Sequence, residues 1–109
     1  MAKKGDMGVI YVGTAKYNKD TKKLEGKSIE IYELASLQQL NEPENNGKIK
    51  LVGRGKAISR VVDLALRLRR RKFVKIGKIE IDETPLKNNS GKEIFVSNIS
   101  IEVIKKWKE

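Results

Sequence analysis

Gly53-Arg54-Gly55-Lys56-Ala57-Ile58-Ser59-Arg60-Val61-Val62-Asp63-Leu64-Ala65-Leu66-Arg67-Leu68 runs from a glycine-rich turn into a helix, and the rest of the chain is read outward from it. From Ile58, a step of about 100° per residue gathers Val61, Val62, Leu64, Ala65, Leu66 and Leu68 on one apolar arc. Arg60, Asp63, Arg67, Arg70 and Arg71 fall opposite, with Asp63 placed to pair with Arg60 or Arg67. Arg69 and Lys72 intrude on the arc, so the helix is expected to end near them. Upstream, Lys48-Ile49-Lys50-Leu51 alternates between Gly47 and Gly53 and predicts a strand with one wet face. Glycines between strand and helix let the backbone approach an anion closely, and the helix start directs free N–H groups outward. A bare tight connection would explain the glycines alone. With Arg54 and Lys56 beside them, a phosphate is the natural occupant. The Gly-Lys-Ser/Thr ending of a nucleotide P-loop is missing.

Further out, Val9-Ile10-Tyr11-Val12 reads as a short buried strand ended by Gly13. Thr14 to Gly26 is polar and lysine-rich and reads as a long mobile loop. Ser28 is placed to cap a helix through Leu40, stopped by Asn41, Pro43 and Gly47, although its apolar residues form a broad arc. Ile79 and Ile81 alternate with Glu80 and Asp82, and Phe95, Ile99, Ile101 and Val103 share one parity of a last strand. Asn88-Asn89-Ser90-Gly91 between them predicts a flexible hairpin tip flanked by Lys87 and Lys92. The expected order is β-α-β-α-β-β. That order predicts one α+β domain over residues 1–109, a two-layer sandwich with both helices on one face of a four-stranded sheet.

The 109 residues hold 24 Lys and Arg against 14 Asp and Glu, a net +10. Self-repulsion of that size opposes a compact fold unless a polyanion shares the surface. The surplus is local: residues 48–78 hold twelve basic groups against Asp63 alone, whereas residues 28–47 hold four glutamates and no base. Diffuse solubilising charge would not concentrate so, and an anion-binding surface is the better reading. The run Arg67 to Lys72 supplies Arg70 and Arg71 as further candidates, and Lys16, Lys19, Lys22, Lys23 and Lys27 in the long loop extend the surface.

Cysteine and histidine are both absent, which excludes disulfides, thiolate metal sites, cysteine nucleophiles and the usual general base. Glu80, Asp82 and Glu83 form no cluster that suggests a metal, so neither cofactor nor metal is expected and a nuclease is a poor fit. Tyr11, Tyr32 and Phe95 lie in apolar patterns and are expected in the core. Tyr17 and Trp107 alone do not make a stacking face. No apolar run spans a bilayer and Met1 to Gly8 lacks a signal peptide's apolar core, so an intracellular binding protein is expected, with no membrane partner.

The stretch Arg54-Gly55-Lys56-Ala57-Ile58-Ser59-Arg60-Val61-Val62-Asp63 resembles the Alba family's Arg-Gly-Arg-Ala-Ile-Ser-Lys-Ala-Val-Asp signature. Tyr32-Glu33-Leu34-Ala35-Ser36-Leu37 is similar to the family's first helix. Val96-Ser97-Asn98-Ile99-Ser100-Ile101-Glu102-Val103 is similar to its last strand. The likeness covers residues 9–13 and 27–106. Alba proteins are archaeal chromatin proteins that also bind RNA. They share a fold with the C-terminal domain of translation initiation factor three, and their relatives include protein subunits of eukaryotic ribonuclease P. The resemblance implies nucleic-acid contacts at Arg54, Gly55, Lys56 and Arg60, and at Lys27. Gly26 replaces the first lysine of a family pair there, with Lys22 and Lys23 as substitutes. It implies a hairpin carrying Lys87 and Lys92 along the minor groove of duplex DNA. It also implies a homodimer, or a heterodimer with another family member, associated with the chromosome. Residues 14–26 are an insertion relative to the family, and Lys72 or Phe73 falls where members carry an aromatic residue for contacts between dimers. The implied partner is double-stranded DNA, with RNA or a ribonucleoprotein as the alternative.

Overall fold

Ser28 caps the first helix, α1 (Ile29–Asn41), in the computed structural model, which describes residues 8–14, 16–18 and 20–106. Its Oγ accepts from the Ile31 N–H at 3.4 Å. A single 3-10 turn, Pro43–Asn45, follows the helix, and Asn46 and Gly47 take left-handed backbone to redirect the chain. Ahead of α1 lie β1 (Gly8–Tyr11), β2 (Lys16–Asn18) and β3 (Lys23–Glu25). After it come β4 (Lys48–Arg54), α2 (Ile58–Arg69), β5 (Val74–Lys87) and β6 (Glu93–Lys105).

The main sheet has the order β1-β4-β6-β5. β1 runs parallel to β4, an arrangement that needs a crossover, and α1 supplies it. β6 pairs antiparallel with β4 on one side and with β5 on the other. Both helices cover one face, which gives the expected α+β sandwich. The apolar arc of α2 places Val61, Leu64 and Leu68 fully out of water against Ile49, Leu51, Val74 and Val103 of the sheet. Ser36 is the fully buried polar residue of α1, and its hydroxyl donates to the Tyr32 carbonyl at 2.7 Å.

Register places a long arm on this body. β4 pairs with β6 only from Asn98 to Ile104, while β5 continues with β6 out to Lys87 opposite Glu93. The remaining ribbon extends about 17 Å beyond the body, consistent with a longest dimension of 55 Å. Its tip is the turn expected at Asn88-Asn89-Ser90-Gly91. Asn88 Oδ1 accepts from the backbone N–H of Ser90 and Lys92 and from the Ser90 hydroxyl, at 2.8–3.0 Å. One side chain thus holds the turn.

Other expectations are corrected. Residues 14–26 are not a plain loop, since β2 and β3 form an antiparallel ribbon with Lys16 opposite Glu25. Its turn is closed by Lys22 in left-handed backbone at φ 57°. β4 does not stop at Gly53 but pairs through it to Arg54. Tyr11 and Phe95 are not core: they are 74% and 59% exposed. β1 is an edge strand whose alternate residues face the open side of the sheet, and Phe95 sits on the arm, beyond the helices. Tyr32 is buried as expected. Lys19 and Trp107 lie outside the described residues.

Asp63 does not pair with Arg60 or Arg67. Arg67 donates to Glu33 Oε1 at 3.0 Å and Arg71 to Glu33 Oε2 at 3.0 Å, so the carboxylate of α1 holds two guanidiniums of α2. The Glu33 side chain is only 12% exposed, and a shielded carboxylate with two charged donors competes better for arginine than one open to water. Burial alone would push the Glu33 carboxyl up, but hydrogen bonds from Arg67 and Arg71, with their charges, hold it below its ordinary value. A depressed carboxylate stabilises the fold at pH above the unfolded pKa, and that stability is lost as pH falls through the folded value. Glu33→Gln is therefore expected to cost about 1–2 kcal/mol near neutral pH. It should also flatten the acid limb of a pH–melting profile below the ordinary carboxyl value of 4.5. Thermal denaturation of both proteins between pH 3 and 7 checks this.

Candidate nucleic-acid interface

The loop into α2 is built by two glycines with different tasks. Gly53 lies where β4 touches the helix: a Cβ there would overlap Val61 Cγ2 and press on the Ala57 carbonyl. Gly55 has room for a side chain, with Val96 Cγ1 3.8 Å from a Cβ position, but its φ of 57° is left-handed. Gly55–Ala57 then forms one 3-10 turn that leads into α2. Neither that turn nor α2 has a side-chain cap; the Ile58 N–H, first of the helix, donates to the Gly55 carbonyl, and the N–H groups left for an anion are those of the turn that opens the helix. Ala57 is buried and anchors the turn, while Arg54, Gly55 and Lys56 are exposed. An uncapped, positively polarised helix start flanked by two solvent-facing cations has the chemistry to hold a phosphate.

The arm springs from beside this loop. Arg54 stands opposite Asn98 in register, and Val96 lies under Gly55. Lys87 and Lys92 are exposed at the far end, so loop and arm form one continuous edge with cations at both ends. The remaining candidates are distributed differently. Lys27 is exposed next to the α1 cap, Lys22 is exposed at the turn of the inserted ribbon, and Lys23 lies on β3. Arg60 is turned inward on the backbone: it donates to the Gly13 and Lys27 carbonyls, both at 2.6 Å. Its guanidinium also lies over the Tyr32 ring, 5.5 Å from the centroid. Arg70 is exposed at the end of α2, and Arg71 is committed to Glu33. These two are about 18 Å along the helix from the loop, so the structure does not bring them together with Arg54.

At the end of the sheet that carries Arg54, a groove of about 920 Å³ is lined by Tyr11, Arg54, Glu80, Asp82, Asn98 and Ser100 and, from the helix side, by Tyr32 and Ala57, among others. Asn98 Nδ2 donates to Thr84 Oγ1 at 2.7 Å, which fixes the amide beside Arg54. Glu80 and Asp82 give the groove two carboxylates, and Arg54 is the cation in its lining. Among the described residues, no group of three or more His, Cys, Asp or Glu is placed to hold a metal. No helix there is long and apolar enough to cross a membrane. Sequence reasoning missed Tyr11 and Phe95 as surface aromatics. For Tyr11 the signal was present: Ile10 and Val12 point inward, so strand alternation turns Tyr11 out.

Comparison with known proteins agrees with this architecture. The Alba family model matches residues 21–83. A curated relative, "DNA/RNA-binding protein Alba" of Methanocella arvoryzae, is 40% identical over 77 residues, spanning 69% of this chain and 78% of that protein. Among solved structures, Alba from Thermoplasma volcanium matches with a TM-score of 0.66 and 32% identity, over 90% of this chain and 100% of that one. ALBA1 from Trypanosoma brucei matches with a TM-score of 0.64 over 93% of this chain and 71% of that one. Its 18% identity makes this a likeness of fold alone.

Proposed function

The chain belongs to the Alba family, and from that premise we propose that it is a non-enzymatic, double-stranded DNA-binding protein of chromosome architecture. It holds phosphates with little base readout. The observation that carries the reading is the uncapped start of α2 with Arg54 and Lys56 exposed beside it, continuous with an arm ending in Lys87 and Lys92. Few side chains on this edge suit paired recognition of base edges, so affinity rests on backbone charge. The relative's name, "DNA/RNA-binding protein Alba", supports nucleic acid as the polyanion.

The working unit is a homodimer, or a heterodimer with another member of the family. β5 is a long unpaired edge strand, and Ile79, Ile81 and Phe95 lie exposed on its helix-side face and on that of β6. An apolar strand edge of this kind calls for a cover. A second copy would double the basic surface and set two arms apart.

RNA is the second reading, favoured by the basic ribbon at residues 16–25 and by the exposed rings of Tyr11 and Phe95, since RNA recognition uses aromatic stacking on unpaired bases. Competition among equal lengths of double-stranded DNA, double-stranded RNA and hairpin RNA, run across a salt series, decides between them. With six phosphate contacts, affinity for duplex DNA is expected to fall about a thousandfold between 50 and 200 mM salt. A salt-insensitive affinity would sink the proposal, and preference for hairpin RNA would replace the DNA reading with the second.

A further inference from the structure

The basic ribbon leaves the body at Gly13 and rejoins it at Lys27, and a single side chain from another element holds both ends. Arg60, from the first turn of α2, reaches back with one Nη to the Gly13 carbonyl and with the other to the Lys27 carbonyl, each at 2.6 Å. Tyr32 completes the fastening: its hydroxyl accepts from the Gly13 N–H at 3.0 Å while its ring lies beneath the guanidinium. The planar fork of arginine suits two acceptors held apart, and an ammonium does not. A guanidinium whose two Nη groups already serve backbone carbonyls is poorly placed to serve as a phosphate ligand as well.

We infer that Arg60 is a positioning residue that clasps the inserted ribbon to the start of α2, so that the Lys22–Lys23 end of the ribbon serves as a nucleic-acid contact in addition to the Arg54–Lys56 loop. This rests on the nucleic-acid-binding reading and gives Arg60 a part in it other than phosphate contact. Gly13 and Thr14, at the root of the ribbon, line the same groove as Arg54, so the clasp fixes the root of the ribbon at the end of the sheet that carries the loop. The clasp bonds involve neither Arg54 nor Lys56, so displacing the ribbon does not require displacing the loop. The ordering cost of a segment of this size is met in advance by the clasp, which leaves the lysines preorganised for the polyanion.

The test compares Arg60→Lys and Arg60→Gln with the intact protein. As a clasp, Arg60 is replaced by neither, so both variants should lose duplex affinity to a similar extent, about tenfold at low salt, and should expose Lys22 and Lys23 to faster tryptic cleavage without nucleic acid. As a phosphate ligand, Arg60 would be rescued by lysine, and neither variant would change the cleavage rate. Either result overturns the inference. Lys22→Asn, which suits left-handed backbone, combined with Lys23→Gln should lower the salt slope by about two in the intact protein. It should lower the slope little further in the Arg60→Gln background. An unchanged slope in the intact protein overturns the ribbon contact. Should the intact protein fail to bind duplex at all, the functional reading and with it the ribbon contact fall, while the cleavage rates still decide the clasp. Unchanged melting temperatures for Arg60→Lys separate a local release from unfolding.

Discussion

Arg54→Glu/Lys56→Glu is expected to weaken duplex binding about a hundredfold at low salt and to reduce the salt slope by about two. Each phosphate contact made by a cation releases roughly one condensed counterion, so removing two of them lowers the slope by that number. Reversing their sign adds repulsion at the point where the uncapped helix start would otherwise attract the backbone. The two side chains are exposed, and neither makes a side-chain hydrogen bond or ion pair among the described residues, so the melting temperature should be close to that of the parent. Fluorescence anisotropy on a duplex at four or five salt concentrations, with a thermal melt alongside, measures both quantities. Retained affinity with an unaltered slope would remove the loop from the binding surface. The same pair of substitutions should leave the Arg60 clasp in place, since that bond network does not involve either residue.

Gly53→Ala is expected to cost about 1–3 kcal/mol of stability although it adds a single methyl group. The methyl would meet Val61 Cγ2, on a stiff β-branched side chain that is fully buried, and would press on the Ala57 carbonyl as well. Strand and helix must therefore separate at the position that aims Arg54, so binding should weaken along with stability. For a domain of this size each kcal/mol lowers the melting temperature by roughly 4–8 °C. Val61→Ala makes room for the new methyl, and the double variant should be more stable than the sum of the two single effects predicts, by about 1 kcal/mol. Strict additivity in thermal denaturation would show that the strand–helix contact is not the source of the loss.

Glu33, Arg60 and Asn88 show where sequence reasoning reached its limit. Each was visible as a polar residue in a plausible place, yet its partners are 34, 47 and at most four positions away. Local spacing favoured Asp63 as the acceptor for Arg67, because four residues make one helical turn. Glu33 won because α1 packs across α2 and shields its carboxylate, a circumstance that no spacing rule contains. The run Arg67 to Lys72 looked uniform, but tertiary packing divided it: Arg67 and Arg71 neutralise Glu33, while Arg70 faces solvent. Asn88 is the local case, and its turn-forming role was foreseen; that the side chain orders the tip was not.

The glycine spacing around Arg54, the apolar arc of α2 and the parity of the last strand determined the α+β architecture and the place of the candidate anion-binding loop from sequence alone. They could do so because each is a local property: helical and strand periodicities decide which side of an element is dry before any partner is known. The concentration of charge between Lys48 and Lys78 likewise needed no coordinates. Only the tertiary structure decided which of those charges are free to meet a phosphate. Arg54 and Lys56 stay exposed because β4 ends at Arg54 and the turn that follows buries only Ala57, whereas Arg60 is spent on two carbonyls that the chain brings together from either side of its insertion. Charge is counted along the chain, but its availability depends on distances between segments that only folding sets.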